Sequence, residues 1–255
     1  MSVDRITAMR KGGAVLGTIR DRLVSSVAVG HSFAQIEENA QALLAEHQVK
    51  PSFSTVPGYN WATCIMKNDG LCHGIPDKQK VVAGDCITID IGLIYEGYHL
   101  DTSISFLVES NDSQLVKFLD VGKASLAAAL AEVQAGARVF DVSRAMQRVV
   151  EKAGYSAVRE LTGHGVGAQL HMPPNIPCVA IQADKRVQLE EDQTIAVEIM
   201  YAAGSAVLQL DDDGWTYRSR DRSLTGMFED TVLVTATGCE VLTKPSTSGI
   251  IDLYG

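Results

Sequence analysis

The segment from residue 86 to residue 107, CITIDIGLIYEGYHLDTSISFL, predicts a β-hairpin. Its two halves, residues 86–94 and 99–107, alternate in polarity or run apolar, as β-strands do. Between them lies Tyr95-Glu96-Gly97-Tyr98, a sequence typical of a tight turn. We therefore expect two paired antiparallel strands at the centre of the fold.

The register of this hairpin places two aspartates on one face. With Glu96 and Gly97 as the turn residues, Asp90 lies opposite Ser103, and Asp101 is two residues from Ser103. Cross-strand partners share a face, so the two aspartates project to the same side, about 7–8 Å apart at the backbone. Carboxylates in this arrangement can converge on one cation, or on two cations about 3.5–4 Å apart.

Two glutamates occur in similar surroundings later in the chain. Asp90 lies in an apolar strand, where an uncompensated charge is costly. Glu198 lies in the apolar run TIAVEIM, and Glu229 precedes the run TVLV. A single acid of this kind is more often an edge-strand charge, but four of them favour a shared cation site.

Three histidines are candidates to complete such a site. His164 lies between glycines in GHGVG, His73 lies in CHGIP, and His171 follows His164 by seven residues. Four carboxylates and one histidine make a hard, oxygen-rich site that suits Mn, Fe(II) or Co and can take Zn. Its natural chemistry is the attack of metal-activated water on a carbonyl, with a glutamate moving the proton.

A thiol nucleophile is the chemical alternative, because Cys72 adjoins His73 and Cys64 is close in sequence. This alternative leaves the four acids unexplained. The five cysteines are an odd number without a CxxC pair, which argues against a disulfide framework and a thiolate zinc site.

Composition limits the remaining classes. The chain has 255 residues, 46% of them hydrophobic, which is enough for one sizeable core. A net charge of −9 counts against nucleic acid as the main partner. The apolar stretches are too short to span a membrane, and the first residues do not resemble a secretion signal, so we expect a cytoplasmic protein.

The elements are arranged as helices, strands, helices and strands. Helices are predicted at residues 4–25, 32–48, 113–134 and 140–153, and further strands at 194–201, 206–210 and 228–235. Residues 52–77 are rich in turn formers and predict irregular segments with short strands. This order favours a single α+β domain over residues 1–255, with helices on one face of a curved antiparallel sheet. It also suggests an internal duplication.

Taken together, the motifs resemble the type I methionine aminopeptidases. Their pita-bread fold, which has a pseudo-twofold duplication, is shared with creatinase and proline-specific aminopeptidases. The matching segments are CHGIPD at 72–77, the paired-aspartate hairpin with its eleven-residue gap, GHGVG at 163–167, VEIM at 197–200, DGWT at 213–216, DRSL at 221–224 and FEDT at 228–231. The resemblance covers nearly the whole chain.

The resemblance implies a dinuclear metal centre that removes the N-terminal methionine from peptides and nascent proteins when the second residue is small. Asp90 would chelate one divalent cation with both oxygens. Asp101 and Glu229 would bridge the pair, and His164 with Glu198 would bind the other. Glu198 would also carry the proton of the attacking water.

The resemblance implies substrate contacts as well. His73 and His171 would flank the scissile peptide. The methionine side-chain pocket would be built by Tyr59, Cys64 and Trp215. A monovalent cation would bind near Asn68.

Several positions depart from the family's usual residues while all five ligand positions keep a ligating side chain. The departures are Phe53, Val56, Leu170, Met172, Ile199, Met227 and Asp230. They bear on catalytic rate and side-chain preference, and are typical of a divergent second copy of the enzyme.

Two other functions fit the same fold. A proline-specific aminopeptidase or dipeptidase usually carries an additional N-terminal domain, whereas only about fifty residues precede the pocket segment here. A non-catalytic binding protein of this fold loses metal ligands.

The expected partner is a peptide or nascent chain, bound by a monomer. The interval 202–213 lacks lysine and ends in three aspartates, so we expect weak ribosome association.

Overall fold

The computed structural model describes residues 4–244, which contain four α-helices and thirteen strands. The helices are α1 (Arg5–Ser26), α2 (Phe33–Glu46), α3 (Ser113–Ala131) and α4 (Val139–Lys152), with short 3-10 helices at Phe53–Thr55 and Gln182–Arg186. The strands are β1 (Lys50–Pro51), β2 (Thr63–Lys67), β3 (Gly70–Cys72), β4 (Cys86–Tyr95), β5 (Tyr98–Leu107), β6 (Ser156–Ala157), β7 (Thr162–Gly165), β8 (Met172–Pro177), β9 (Thr194–Ala202), β10 (Leu208–Leu210), β11 (Tyr217–Ser219), β12 (Thr225–Thr235) and β13 (Gly238–Val241).

Ten strands form one sheet, whose central order is β1-β4-β5-β12-β9-β7-β8. Strand β2 pairs with β4, β13 with β12, and β6 with β9, and the pairings are antiparallel. Strands β10, β11 and β3 form a small second sheet. The β4–β5 hairpin therefore lies beside β12, and β12 pairs with β9, at the centre of the sheet. The hairpin and these two strands are distant in sequence but adjacent in space.

The predicted hairpin and its register are confirmed. Asp90 pairs with Ser103, and Asp101 pairs with Gly92. The turn residues Glu96 and Gly97 have φ values of 49° and 86°. Positive φ at both positions is the signature of a type I′ turn, whose twist matches that of the paired strands.

Alternation along each central strand separates two faces of the sheet. Ile89, Ile91 and Leu93 belong to the same buried apolar cluster as the core residues of α1 and α2, so Asp90 between them points to the opposite face. On the other half of the sheet, the Tyr201 hydroxyl donates to the Phe118 carbonyl of α3. The helices thus cover one face of the sheet, and the acidic side chains lie on the other face.

Each half of the sheet has its own helix cover, because α1 packs on β4 and β5 whereas α3 packs on β9 and β12. This arrangement is what an internal duplication predicts. The expected α+β class, an antiparallel sheet flanked by helices, is confirmed.

Two parts of the sheet differ from the prediction. The glycine-rich stretch around His164 forms β7 and β8, for which the sequence predicts no regular element. Strand β12 begins at Thr225, ahead of the predicted start at residue 228. Gly163 explains the tight pairing of β7, since a Cβ there would come within 2.5 Å of the Ala196 carbonyl oxygen. Within residues 4–244, no helix has the length and apolar character to cross a membrane.

Candidate active site

Five side chains form one continuous row across the centre of the sheet. Cys64 pairs with Asp90, Asp90 with Ser103, Ser103 with Glu229, and Glu229 with Glu198. The row crosses β2, β4, β5, β12 and β9. Direct cross-strand partners share a face, so all five point away from the helices. Three acids from three different strands are therefore neighbours because of register alone.

A second row, two residues along the same strands, adds the remaining candidates. His164 pairs with Ala196, and Ala196 pairs with Thr231. The Thr231 hydroxyl donates to the Asp101 carbonyl oxygen at 2.7 Å and accepts from the Asp101 N–H at 3.1 Å. These two bonds hold the backbone of Asp101 against β12 and set where its carboxylate begins.

The two rows bring all five predicted ligand residues to one place. Asp101, His164 and Glu229 each offer an atom within 4.8 Å of the others. His164 Nε2 lies 3.9 Å from Asp101 Oδ2. Asp90 and Glu198 line the same cavity as these three residues. Their roles as ligands stay a prediction.

The hydrogen bond of His164 determines which ring nitrogen carries the proton. His164 Nδ1 lies 3.0 Å from the Gly165 carbonyl oxygen. A carbonyl oxygen only accepts, so Nδ1 is the donor and Nε2 presents its lone pair toward Asp101. Burial, together with the nearby His171, lowers the pKa of His164 to about 4. A neutral imidazole fixed through its other nitrogen is the usual state of a metal ligand.

Burial raises the pKa of all four clustered carboxylates. Burial raises the pKa of Asp90, Glu198 and Glu229 well above the ordinary value, and neighbouring carboxylates add to the effect. Burial also raises the pKa of Asp101 to about 7. Four acids this close and this buried are costly without positive charge among them.

Oxygens without a hydrogen-bond partner show that the cluster fits a divalent cation. Among the described residues, Asp90 Oδ1, Asp101 Oδ1 and Glu229 Oε2 are buried and accept no hydrogen bond. Buried polar atoms normally have a hydrogen-bond partner. Three buried oxygens without one, all in the same cluster, therefore indicate a partner other than a hydrogen-bond donor. Coordination to a hard cation would satisfy all three.

The cluster lies in a cavity of about 300 Å³, whose wall includes His73 and His171. The His171 ring packs edge-on against His164 with centroids 4.4 Å apart. The His73 ring lies 5.9 Å from that of Tyr217. Burial lowers the pKa of both histidines. Both predicted substrate-flanking residues are therefore beside the cluster.

The far end of the cavity is apolar. Its lining includes Phe53, Val56, Tyr59, Cys64, Leu170 and Trp215. The Tyr59 hydroxyl lies 2.8 Å from the Thr63 carbonyl oxygen, which ties the ring to β2. The rings of Tyr59 and Trp215 meet edge to face, with centroids 5.1 Å apart. The three predicted pocket residues, Tyr59, Cys64 and Trp215, are thus brought together.

Trp215 owes its position to a turn held by one carboxylate. Asp213 Oδ1 accepts hydrogen bonds from the Trp215 and Thr216 N–H groups, both at 2.8 Å. Because this Asx-type bonding closes the turn locally, the indole can reach the cavity from a surface loop.

Several lining residues were not among the predicted site residues. They are Cys72, Glu160, Leu161, Thr162, Met200 and Met227. Met200 and Met227 could have been found, since each is two residues from a predicted ligand and shares its face. Glu160 and Leu161 lie in the loop before β7 and Thr162 is the first residue of β7, and no periodicity marks them.

The thiol alternative is weakened by the surroundings of the two cysteines. Burial raises the pKa of Cys64 and Cys72 well above the ordinary thiol value, and the nearby acids raise it further. The reactive form of cysteine is the thiolate, which such an environment disfavours. Both thiols line the cavity as apolar side chains.

Asn68 lies outside the cavity. Its side chain is engaged, since Oδ1 accepts from the Cys86 N–H and Nδ2 donates to Asp85. The Asn68 and Gly70 carbonyl oxygens lie 2.9 and 2.8 Å from Thr225 Oγ1, so they converge on one point. The monovalent cation predicted near Asn68 stays a prediction.

Comparison with known proteins decides the family. Residues 7–236 match the model of metallopeptidase family M24. The chain is 33% identical over 236 residues to methionine aminopeptidase 1 of Bacillus subtilis, covering 92% of this chain and 95% of that protein. It is 33% identical over 244 residues to the methionine aminopeptidase of Escherichia coli strain K12, covering 93% and 90%. The chain belongs to metallopeptidase family M24, among the methionine aminopeptidases.

Solved structures agree with the fold. The methionine aminopeptidase of Thermotoga maritima superposes with a TM-score of 0.90 at 32% identity, over 94% of this chain and 96% of that one. The prolidase of Pyrococcus horikoshii superposes with a TM-score of 0.77 at 19% identity, over 95% of this chain but 62% of its own. The second likeness reflects the shared pita-bread fold alone.

Proposed function

We propose that this M24 member removes the N-terminal methionine from peptides and nascent proteins whose second residue is small. The observation that carries the proposal is one cavity with a carboxylate–histidine cluster at one end and an apolar, aromatic pocket at the other. Relatives named methionine aminopeptidase, at 31–33% identity over most of the chain, support it.

Five residues would hold two divalent cations. They are Asp90, Asp101, His164, Glu198 and Glu229, which line one cavity. The oxygen-rich donor set suits Mn, Fe(II) or Co and accepts Zn. When bound, the cations would polarise the scissile carbonyl and activate water as the nucleophile.

The chain's own residues would then manage protons and charge. A Glu198 carboxylate oxygen takes the proton of the attacking water and passes it to the leaving amine. His73 and His171, which line the cavity beside the cluster, donate hydrogen bonds to the carbonyl oxygen as negative charge develops on it. The buried, largely enclosed position of the acids strengthens these interactions.

The apolar end would select the first side chain. Tyr59, Cys64 and Trp215 would surround a methionine side chain, since a thioether packs favourably against aromatic rings. The second residue of the substrate would face the crowded wall formed by His73 and His171. Small second residues should therefore be accepted and large ones excluded.

Steady-state kinetics on tripeptides test this proposal. We expect a high kcat/KM for Met-Ala-Ser, a much lower value for Met-Leu-Ser and little cleavage of Leu-Ala-Ser. Ala-Pro-Ser serves as the arm for a proline-specific enzyme. Equal cleavage of Met-Ala-Ser and Met-Leu-Ser, or preferred cleavage of Ala-Pro-Ser, would contradict the proposed substrate class.

We also propose that the enzyme binds ribosomes weakly and acts as a cytoplasmic monomer. The interval between β9 and β11 carries three aspartates, and two of the arginines near it are engaged: Arg218 contacts Asp211 and Asp69, and Arg222 contacts Asp69. RNA binding depends on lysines and arginines free to displace counterions. Co-sedimentation at low salt, beside the Escherichia coli enzyme, should recover less of this protein. Equal, salt-sensitive recovery would contradict weak binding.

The convergent carbonyl oxygens of Asn68 and Gly70 support a monovalent cation as a further component of the protein. Potassium or sodium titration followed by thermal unfolding tests it, with lithium as the control ion.

A further inference from the structure

A fully buried arginine lies on the helix face of the sheet, behind the carboxylate cluster. Arg20 of α1 has 0% exposure. Arginine is almost never fully buried unless it is paired, because its charge must be compensated. Its contacts therefore identify what it holds in place.

Arg20 bonds to two strands at once. Its Nη1 donates to Thr102 Oγ1 of β5 at 2.9 Å and lies 3.4 Å from Asp230 Oδ1 of β12. Its Nε donates to Asp21 Oδ1 at 2.9 Å. Asp230 also accepts from the Thr243 hydroxyl at 2.6 Å. One guanidinium thus links α1 to both central strands.

The two residues it contacts are direct cross-strand partners, since Thr102 pairs with Asp230. Thr102 follows the predicted ligand Asp101, and Asp230 follows the predicted ligand Glu229. Because side chains alternate along a strand, these neighbours point to opposite faces.

The Thr102 hydroxyl connects Arg20 to the backbone of a predicted ligand. It accepts from Arg20 and donates its own proton to the Glu229 carbonyl oxygen at 2.8 Å. A single side chain, that of Thr102, therefore connects the Arg20 guanidinium to the backbone of Glu229 through hydrogen bonds.

We infer that Arg20 is a positioning residue for the metal centre, acting through Thr102 and Asp230. It links β5 and β12 on the helix-covered face of the sheet. Its contacts lie next to Asp101 and Glu229, whose side chains point to the opposite face. The inference rests on the proposed function, because it concerns the placement of Asp101 and Glu229, two of the proposed metal ligands.

Stability alone does not account for this network. Buried ion pairs contribute little net stability, and apolar replacements of similar volume are often neutral or stabilising. Residues that orient metal ligands, in contrast, typically change metal affinity or activity by about 10–100-fold when removed. Metal affinity is therefore the quantity that separates the two roles.

The test compares Thr102→Val with Thr102→Ser. Valine keeps the branched shape and loses the hydroxyl, whereas serine keeps the hydroxyl and loses a methyl group. Calorimetric titration with Mn(II) and the visible spectrum of the Co(II) form report the centre without relying on turnover. We expect about 10–100-fold weaker metal binding and an altered Co(II) spectrum for Thr102→Val, and near wild-type values for Thr102→Ser.

Arg20→Met should weaken metal binding in the same way. Arg10→Met is the matched control, because Arg10 lies on the same helix and pairs with Glu240 of β13 at 2.7 Å, with both side chains about half exposed. It should keep wild-type affinity. If Arg20→Met does not fold, the threonine pair decides the question.

The outcomes separate the inference from the proposed function. If the wild-type protein binds no Mn(II) or Co(II), the dinuclear centre is wrong and the inference falls with it. If the wild-type protein binds metal and Thr102→Val binds it equally well, Arg20 is structural only. Equal weakening in Thr102→Val and Thr102→Ser would also overturn the inference, since the hydroxyl would not be the cause.

Discussion

The two ends of the cavity are built in different ways. The acidic end consists of side chains on adjacent strands of one sheet, so its geometry follows from strand register. The apolar end combines β2 with a 3-10 helix, the loop before His171 and the turn that holds Trp215. In a site built from paired strands, the side chains that share a face follow from the two-residue alternation along each strand. A site made by loops depends on how distant segments pack.

The ends also differ in their effect on the free energy of folding. Burial of Tyr59 and Trp215 against apolar neighbours stabilises the fold, as apolar burial generally does. Burial of Asp90, Glu198 and Glu229 side by side opposes folding, because their charges are desolvated and repel one another. Substitutions at the two ends should therefore have opposite signatures in activity and stability.

The largest effect is expected at the acidic end, in Glu198→Gln. Loss of the carboxylate that we propose carries the proton should lower kcat on Met-Ala-Ser by about 10²–10⁴-fold, the usual contribution of a positioned general base. Metal content, measured in the same preparation, separates proton transfer from metal loss. Glu190→Gln, at an exposed loop position, is the control. A kcat near the wild-type value would remove Glu198 from the mechanism.

At the apolar end, two tryptophans provide a matched pair. Both Trp61 and Trp215 pack edge to face on Tyr59, at 5.2 and 5.1 Å, but of the two only Trp215 lines the cavity within the described residues. Trp215→Ala should lower kcat/KM for Met-Ala-Ser by about 10–200-fold, the range that a side-chain pocket contact supplies. Trp61→Ala should change kcat/KM far less. Similar losses in both would mean that Tyr59 packing matters rather than substrate contact.

The smallest effect concerns stability. The proposed cation would bind only the folded state, so saturation at about 100 times Kd should add roughly 2.7 kcal/mol and raise Tm by about 5–10 °C for a chain of this size. Thermal unfolding with Mn(II) and with a chelator measures this difference. The Asp90→Asn/Asp101→Asn variant should unfold at a temperature that Mn(II) no longer changes. A Tm that is independent of Mn(II) in the wild-type protein would contradict cation binding at the acidic end.

Much of the acidic end could be predicted from the chain alone. Residues 86–107 contain two strand patterns, a two-residue turn and two aspartates in matching positions, all within 22 residues. Local hydrogen bonding and side-chain alternation are sufficient to place Asp90 and Asp101 on one face. Glu198 and Glu229 could be recognised as buried strand acids, although their pairing with the hairpin is long-range.

Tertiary structure decided the rest. Strand β7 is too rich in glycine to show a period, and its place beside β9 depends on a close backbone approach at Gly163. The contact of Arg20 with Asp230 joins residues 210 positions apart on different elements. The sequence alone determined which side chains share a face, because alternation is a property of a single strand. Which strands and loops meet was decided by the packing of helices and sheet, because only folding brings distant segments into contact.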